Sequence, residues 1–108
     1  MAYNPSRFIG PVALTTINTN LKTFNYKSII KSIFTANNNQ GPSAFSLYLV
    51  PVGGTPNNGN TIFGYVLLAQ NTTKSTETTL ILNSGDSLWA SANVSNGINI
   101  MVSGVEIV

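Results

Sequence analysis

The sequence predicts an all-β fold: a single-domain antiparallel β-sandwich of about eight strands, jelly-roll or immunoglobulin-like, with an extended N-terminal arm. Three observations predict it. Short apolar runs rich in Ile, Val, Thr and aromatics recur along the chain, and clusters of Gly, Asn and Pro separate them. No segment carries an apolar stripe at helical spacing long enough to make a helix. A chain of 108 residues fits one domain and can bury a core without staples, which suits the absence of cysteine.

Residues 1–11, MAYNPSRFIGP, hold two prolines and a glycine around Tyr3, Arg7 and Phe8. They read as an extended arm, not a strand, preceding a sandwich domain of residues 12–108. Such an arm either folds back on its own domain or lies on a neighbour. Strands are expected at about 12–17, 20–26, 28–37, 44–51, 61–69, 77–83, 87–94 and 98–107. The clearest alternation sets Phe45, Leu47 and Leu49 against Ser46 and Tyr48, so the first set should face the core. Leu80 and Leu82 behave likewise, as do Leu88, Ala90 and Ala92. On that phase Trp89 points away from the small residues, into a second layer or toward a partner.

Polar, turn-forming stretches at 37–42 and 53–60 are expected as exposed loops, and Ser84, Gly85 and Asp86 as a tight turn in which Asp86 bonds nearby backbone. Asn96-Gly97 is a strong hairpin signal, because both central residues of a type I′ turn need positive φ, so 87–94 and 98–107 should pair. In the last strand Ile98, Ile100 and Val102 share a phase that Val105 and Ile107 break. A bulge at Ser103-Gly104 would reconcile the two halves.

Composition narrows the chemistry. With no His and no Cys there is no imidazole base, no thiolate and no ordinary zinc site. Only three acids are present, Glu77, Asp86 and Glu106, and their spacing matches no calcium loop. Serine and threonine abound without a nucleophile elbow, a Ser-x-x-Lys pair or a phosphate-cradling glycine loop. A hydroxyl without a base is not a nucleophile, so no enzyme, cofactor or metal is expected. Charged residues make up 7% of the chain, against about 25% in an average domain. Asn, Thr and Ser supply the polar surface instead, which suits a protein packed against others because such groups are cheap to desolvate compared with Lys or Glu.

The net charge of +2 is too small for a dedicated nucleic-acid binder. Lys22, Lys27 and Lys31 do interleave with Phe24, Tyr26 and Ile29, but edge lysines that discourage sheet-to-sheet association account for them more simply. The start lacks a basic segment followed by an apolar one, and no apolar stretch approaches the ~20 residues that span a bilayer. The expectation is a soluble protein made in the cytoplasm, with no membrane partner.

Three stretches together carry a resemblance: residues 27–38 (KSIIKSIFTANN), residues 45–51 (FSLYLVP), and residues 82–92 (LNSGDSLWASA) running into 102–107 (VSGVEI). They resemble small structural proteins of tailed-bacteriophage virions, from about residue 20 onward. That resemblance implies a non-enzymatic capsid cement or decoration protein on the capsid surface, binding and stabilising the shell of the major capsid protein. It further implies a homotrimer and synthesis in the host bacterial cytoplasm. Gly85, Asp86, Gly104 and Glu106 map onto its motifs with structural roles. Candidate interface residues are Tyr3, Arg7, Phe8 and Trp89, since aromatics and Arg dominate interface energetics. The rival readings are a tail, collar or fibre-associated virion component, and a carbohydrate-binding sandwich in which Trp89 or Tyr48 stacks on sugar.

Overall fold

A computed structural model describes residues 2–39 and 41–108; Gln40, within the expected 37–42 loop, and Met1, within the expected arm, lie outside the described residues. Eight strands form: β1 (Tyr3–Ala13), β2 (Thr19–Thr23), β3 (Ser28–Asn37), β4 (Ser43–Val50), β5 (Thr61–Leu68), β6 (Thr73–Leu82), β7 (Ser87–Ala92) and β8 (Ile98–Ile107). They make two four-stranded sheets, ordered β1-β8-β3-β6 and β2-β7-β4-β5, in which every pairing is antiparallel. This order is the jelly roll, two interlocked Greek keys, and not the ABED and CFG division of an immunoglobulin-like sandwich.

The core lies between the sheets and follows the alternation. Phe45, Leu47, Leu88, Ala90 and Ala92 of the second sheet meet Ile30, Ile33, Leu82, Ile98, Ile100 and Val102 of the first, all of them buried. Each of the larger of these side chains contributes roughly 1.5–3 kcal/mol by leaving water, and the two alanine methyls less than about 1 kcal/mol each. Asn37, at the end of β3, is 2% exposed and joins the two sheets. Its amide nitrogen donates to the carbonyls of Gly41, Leu68 and Ala69 at 3.0–3.1 Å, and its oxygen accepts from the Asn39 N–H at 2.8 Å. The 51–60 loop is mostly exposed and carries one turn of 3-10 helix (Asn58–Asn60), capped reciprocally by the Asn57 and Asn60 side chains. The turn before β7 forms as expected: Gly85 has φ +94°, and an Asp86 carboxylate oxygen accepts the Asn83 N–H at 2.9 Å.

Three features depart from expectation. The segment read as an arm is extended, but residues 3–13 are a strand, paired with β8 from Tyr3 opposite Ile107 to Ala13 opposite Asn99. Prolines argue against a central strand; β1 is an edge, where a missing N–H leaves no ladder bond unmade on the open side. The strand expected at 12–17 shrinks to the last two residues of β1, after which Thr15 and Thr19 side chains bond to the Ile17 carbonyl in a turn.

The strands at 87–92 and 98–107 do not pair with each other at all, because β7 and β8 belong to different sheets. Asn96 does take a left-handed φ of 62°. Its N–H bonds to the Leu14 carbonyl instead of closing a ladder, so the turn carries the chain across the sandwich edge.

The bulge also sits elsewhere. Strand β8 keeps its alternation throughout, so Val105 and Ile107 stay on the outer face, and the extra residues fall on its neighbours, Phe8 on β1 and Lys31 on β3. Gly104 is needed there for space: a Cβ on it would collide with the Ile29 carbonyl oxygen.

Candidate interaction surfaces

The residues that could carry chemistry are dispersed. Glu77 lies on the outer face of β6 opposite Ser32, Asp86 in the β6–β7 turn, and Glu106 on β8 opposite Ser28. Among the described residues no group of three acids could hold a metal ion. The lysine and aromatic interleaving also comes apart. Lys22 belongs to the second sheet, with its ammonium 5.6 Å above the centre of the Phe24 ring, and Lys31 to the outer face of the first. Phe24 itself is buried. Among the described residues no helix is long and apolar enough to cross a membrane.

What the fold does build is two outward faces. Pairing register identifies the side chains that share each face, since directly opposed residues point the same way. On the first sheet one cross-strand row consists of Pro5, Val105, Ile29 and Ile81, all apolar, flanked by Tyr3 opposite Ile107. Tyr3 is 63% and Ile81 56% exposed. The adjoining row is polar: Arg7, Ser103, Ser32 and Glu77, with the Ser32 and Ser103 hydroxyls 2.8 Å apart. The bulged Lys31 adds its ammonium beside this row and donates to the Thr79 hydroxyl at 3.3 Å. Shallow open grooves run along the polar row on both sides of Lys31.

On the second sheet the outward row is Asn20, Trp89, Tyr48 and Thr61. The Trp89 ring N–H donates to the Ser87 hydroxyl at 2.8 Å, which fixes the half-buried indole on the sheet. One step along, Ser91 opposes Ser46, whose hydroxyl accepts the Tyr65 N–H at 3.0 Å. Tyr65 holds a left-handed φ of 51° and is 65% exposed, and its hydroxyl accepts a hydrogen bond from the Asn93 amide at 3.3 Å.

The four expected interface residues therefore do not form one site. Tyr3 and Arg7 project from the outer face of β1, while Trp89 lies on the opposite side of the sandwich, facing outward. Phe8, the bulged residue, is half-buried against the core and packs edge-to-face on Phe24 with ring centres 5.0 Å apart. Tyr65 and the apolar row across β1, β8, β3 and β6 were not legible as surface features. The first needs a backbone conformation that no local pattern announces, and the second needs the register of four strands distant in sequence.

No family model matches the chain, and no curated protein matches it. Solved structures do resemble it over nearly its whole length. A chain of the T13 particle of infectious bursal disease virus superposes with a TM-score of 0.46 at 13% identity, covering 97% of this chain and 28% of that one. The tobacco streak virus coat protein gives a TM-score of 0.46 at 11% identity, covering 98% of this chain and 85% of its own. A chain of the infectious bursal disease virus Gx strain gives 0.42 at 13%, covering 96% and 29%. This chain thus spans less than a third of the two bursal-disease-virus chains.

Proposed function

We propose that the protein is a non-enzymatic structural component of a phage virion: a capsid cement or decoration protein that binds and stabilises the shell of major capsid protein, acting as a homotrimer. The observation that carries this reading is the outward apolar row of Pro5, Val105, Ile29 and Ile81, exposed at Pro5 and Ile81 and half-buried between them, running across a whole sheet and bordered by Tyr3 and Ile107. A contiguous apolar strip rimmed by polar groups is how a surface meant for protein contact is built. The strand order supports it, since jelly rolls serve capsid and lectin domains, and so does the motif resemblance to tailed-phage virion proteins. The functional step is adhesion: contacts made only in the assembled shell stabilise that shell by mass action, and repeated attachment makes modest individual affinities sufficient.

Mass spectrometry of purified particles tests it, with hundreds of copies per virion expected. A handful of copies would move the protein to the tail, collar or fibre, and complete absence would end the virion reading. Removing residues 1–10 would strip β8 of most of its pairing on the β1 side, so the contact surface is better probed by point changes. Tyr3→Ser combined with Ile81→Ser should lower shell occupancy at least tenfold while the isolated chain melts within a few degrees of wild type; unchanged occupancy would exclude this face.

A further inference from the structure

The outward face of the second sheet has a composition that the shell contact does not account for. Three aromatic residues stand on it, Trp89 and Tyr48 directly opposed and Tyr65 reaching over from the edge strand. From strand spacing of about 4.8 Å and a rise of about 3.4 Å per residue, Trp89 and Tyr65 are anchored roughly 12 Å apart. Between and around these aromatics lie short hydroxyl and amide side chains, chiefly Ser46, Ser91, Asn20 and Asn93. Lys22 is the single charged residue in the four strands, and its ammonium is engaged over Phe24.

We propose that this face binds a neutral polysaccharide, with Trp89, Tyr48 and Tyr65 as stacking platforms for successive sugar rings and the Asn and Ser side chains as partners for sugar hydroxyls. The chemistry of recognition is specific. An aromatic ring presents a negative face, and the C–H bonds of a pyranose, polarised by neighbouring oxygens, sit favourably on it. Uncharged amides and hydroxyls match the ligand's own hydroxyls, whereas a sialylated, sulfated or phosphorylated glycan would call for cations that this face does not offer. A protein partner fits less well, because the Trp89–Tyr48 pair is flanked by Asn20 and Thr61, Tyr65 is set apart from it, and Leu67, 62% exposed on the edge strand, does not extend these residues into an apolar row across the sheet like that of the first sheet.

Tyr65 supplies the independent argument. An exposed tyrosine gains little by packing, yet this one, at the irregularity in the β4–β5 pairing, occupies a left-handed backbone conformation that is unfavourable for a residue other than glycine. Hydrogen bonds at both its ends, to Ser46 and from Asn93, hold it across the sheet. Backbone strain maintained by surrounding bonds on a solvent-facing aromatic is the arrangement of a contact fixed in advance of its ligand. This inference does not rest on the shell assignment and survives or fails without it.

Trp89 is the only tryptophan in the chain, so its fluorescence reports directly on the proposed site. The full-length chain is titrated with neutral gluco-, manno- and galacto-configured oligosaccharides of increasing length, alongside sialylated and sulfated ones, at low and high salt. The expected result is a fluorescence shift with at least one neutral series, affinity that rises with chain length, and no salt dependence. Tyr65→Ala and Tyr48→Ala should each weaken binding about tenfold in this titration; Trp89→Phe and Trp89→Ala, which remove the fluorophore, are followed by calorimetry, where Trp89→Phe should lose less affinity than Trp89→Ala, with melting curves confirming that all the variants fold. A flat titration across all neutral series would overturn the proposal, as would binding confined to charged glycans and lost in salt. A fluorescence change that follows protein concentration without sugar would also overturn it, showing this face to be a contact between copies.

Discussion

On the first sheet an outward row is apolar across all four strands, Pro5, Val105, Ile29 and Ile81, and an ionic row with Arg7 and Glu77 adjoins it. On the second sheet the corresponding outward row is Asn20, Trp89, Tyr48 and Thr61, without a charge. Inner faces of both are mostly apolar and buried. The same alternation rule produced both sheets, so the difference lies wholly in residues the core does not constrain. That teaches where to look for function in a chain with so little reactive chemistry: in what the fold is free to put outside. It also separates two kinds of surface, one an apolar row across the sheet, suited to another protein, and one of aromatics set among hydroxyls and amides, suited to a smaller polar ligand.

The largest expected effect tests how rigidly each sheet is built. Gly104 lies where β3 carries its extra residue, and a methyl group there would collide with the Ile29 carbonyl, which is backbone and cannot swing aside. Gly104→Ala should therefore cost about 3 kcal/mol or more, or prevent folding. Gly64 on β5 is the control. A Cβ there would meet only the Thr61 methyl at 3.5 Å, so Gly64→Ala should change stability by at most about 0.5 kcal/mol. Thermal unfolding of the two variants checks the contrast; comparable losses would mean that the second sheet is as tightly registered at its edge as the first at its centre.

How much of this was legible in the sequence depended on what alternation can report. It tells which side of a pleat is buried, and so Phe45, Leu47, Leu82, Leu88, Ala90 and Ala92 were readable as core, while Ile98, Ile100 and Val102 were readable as sharing one face. It does not tell which sheet a strand joins. The run at 87–92 and the run at 98–107 look like a hairpin, with Asn-Gly between them, yet the turn passes between layers and its Asn96 N–H goes to Leu14. Strand β1 was obscured by Pro5 and Pro11, which an edge position tolerates and a central one would not. Of the surface sites, the phase of Trp89 set it opposite Leu88, Ala90 and Ala92 but left open whether it met a second layer or a partner; the sheet pairing places it facing outward. The apolar row was invisible, since it assembles residues 5, 29, 81 and 105 through pairings that only the complete topology defines.

A middle-sized effect separates the residues of β1 that were grouped as contacts. Phe8 packs edge-to-face on buried Phe24, so Phe8→Ala should cost about 2 kcal/mol in unfolding free energy. Tyr3 stands 63% exposed on the same strand, and Tyr3→Ala should change stability by no more than about 0.5 kcal/mol. Chemical denaturation distinguishes them. If Tyr3→Ala proved as costly as Phe8→Ala, the apolar strip of the first sheet would be contributing to the isolated fold and would lose its standing as a surface awaiting a partner.

The smallest effect compares the polar bonds on the two faces. Ser32 and Ser103 share a part-buried hydroxyl bond at 2.8 Å in the first sheet's polar row, whereas the Tyr65 hydroxyl accepts from Asn93 at 3.3 Å on an exposed face. Removing one partner of a part-buried pair strands the other, while removing both leaves little unpaired. Ser32→Ala alone should therefore cost about 1 kcal/mol, and a double-mutant cycle with Ser103→Ala should give a coupling of about 0.5–1 kcal/mol. Tyr65→Phe should cost close to nothing, because water replaces the lost bond at an exposed site. A loss of about 1 kcal/mol or more from Tyr65→Phe would show that its hydroxyl serves stability, and the strained tyrosine would then need no ligand to explain it.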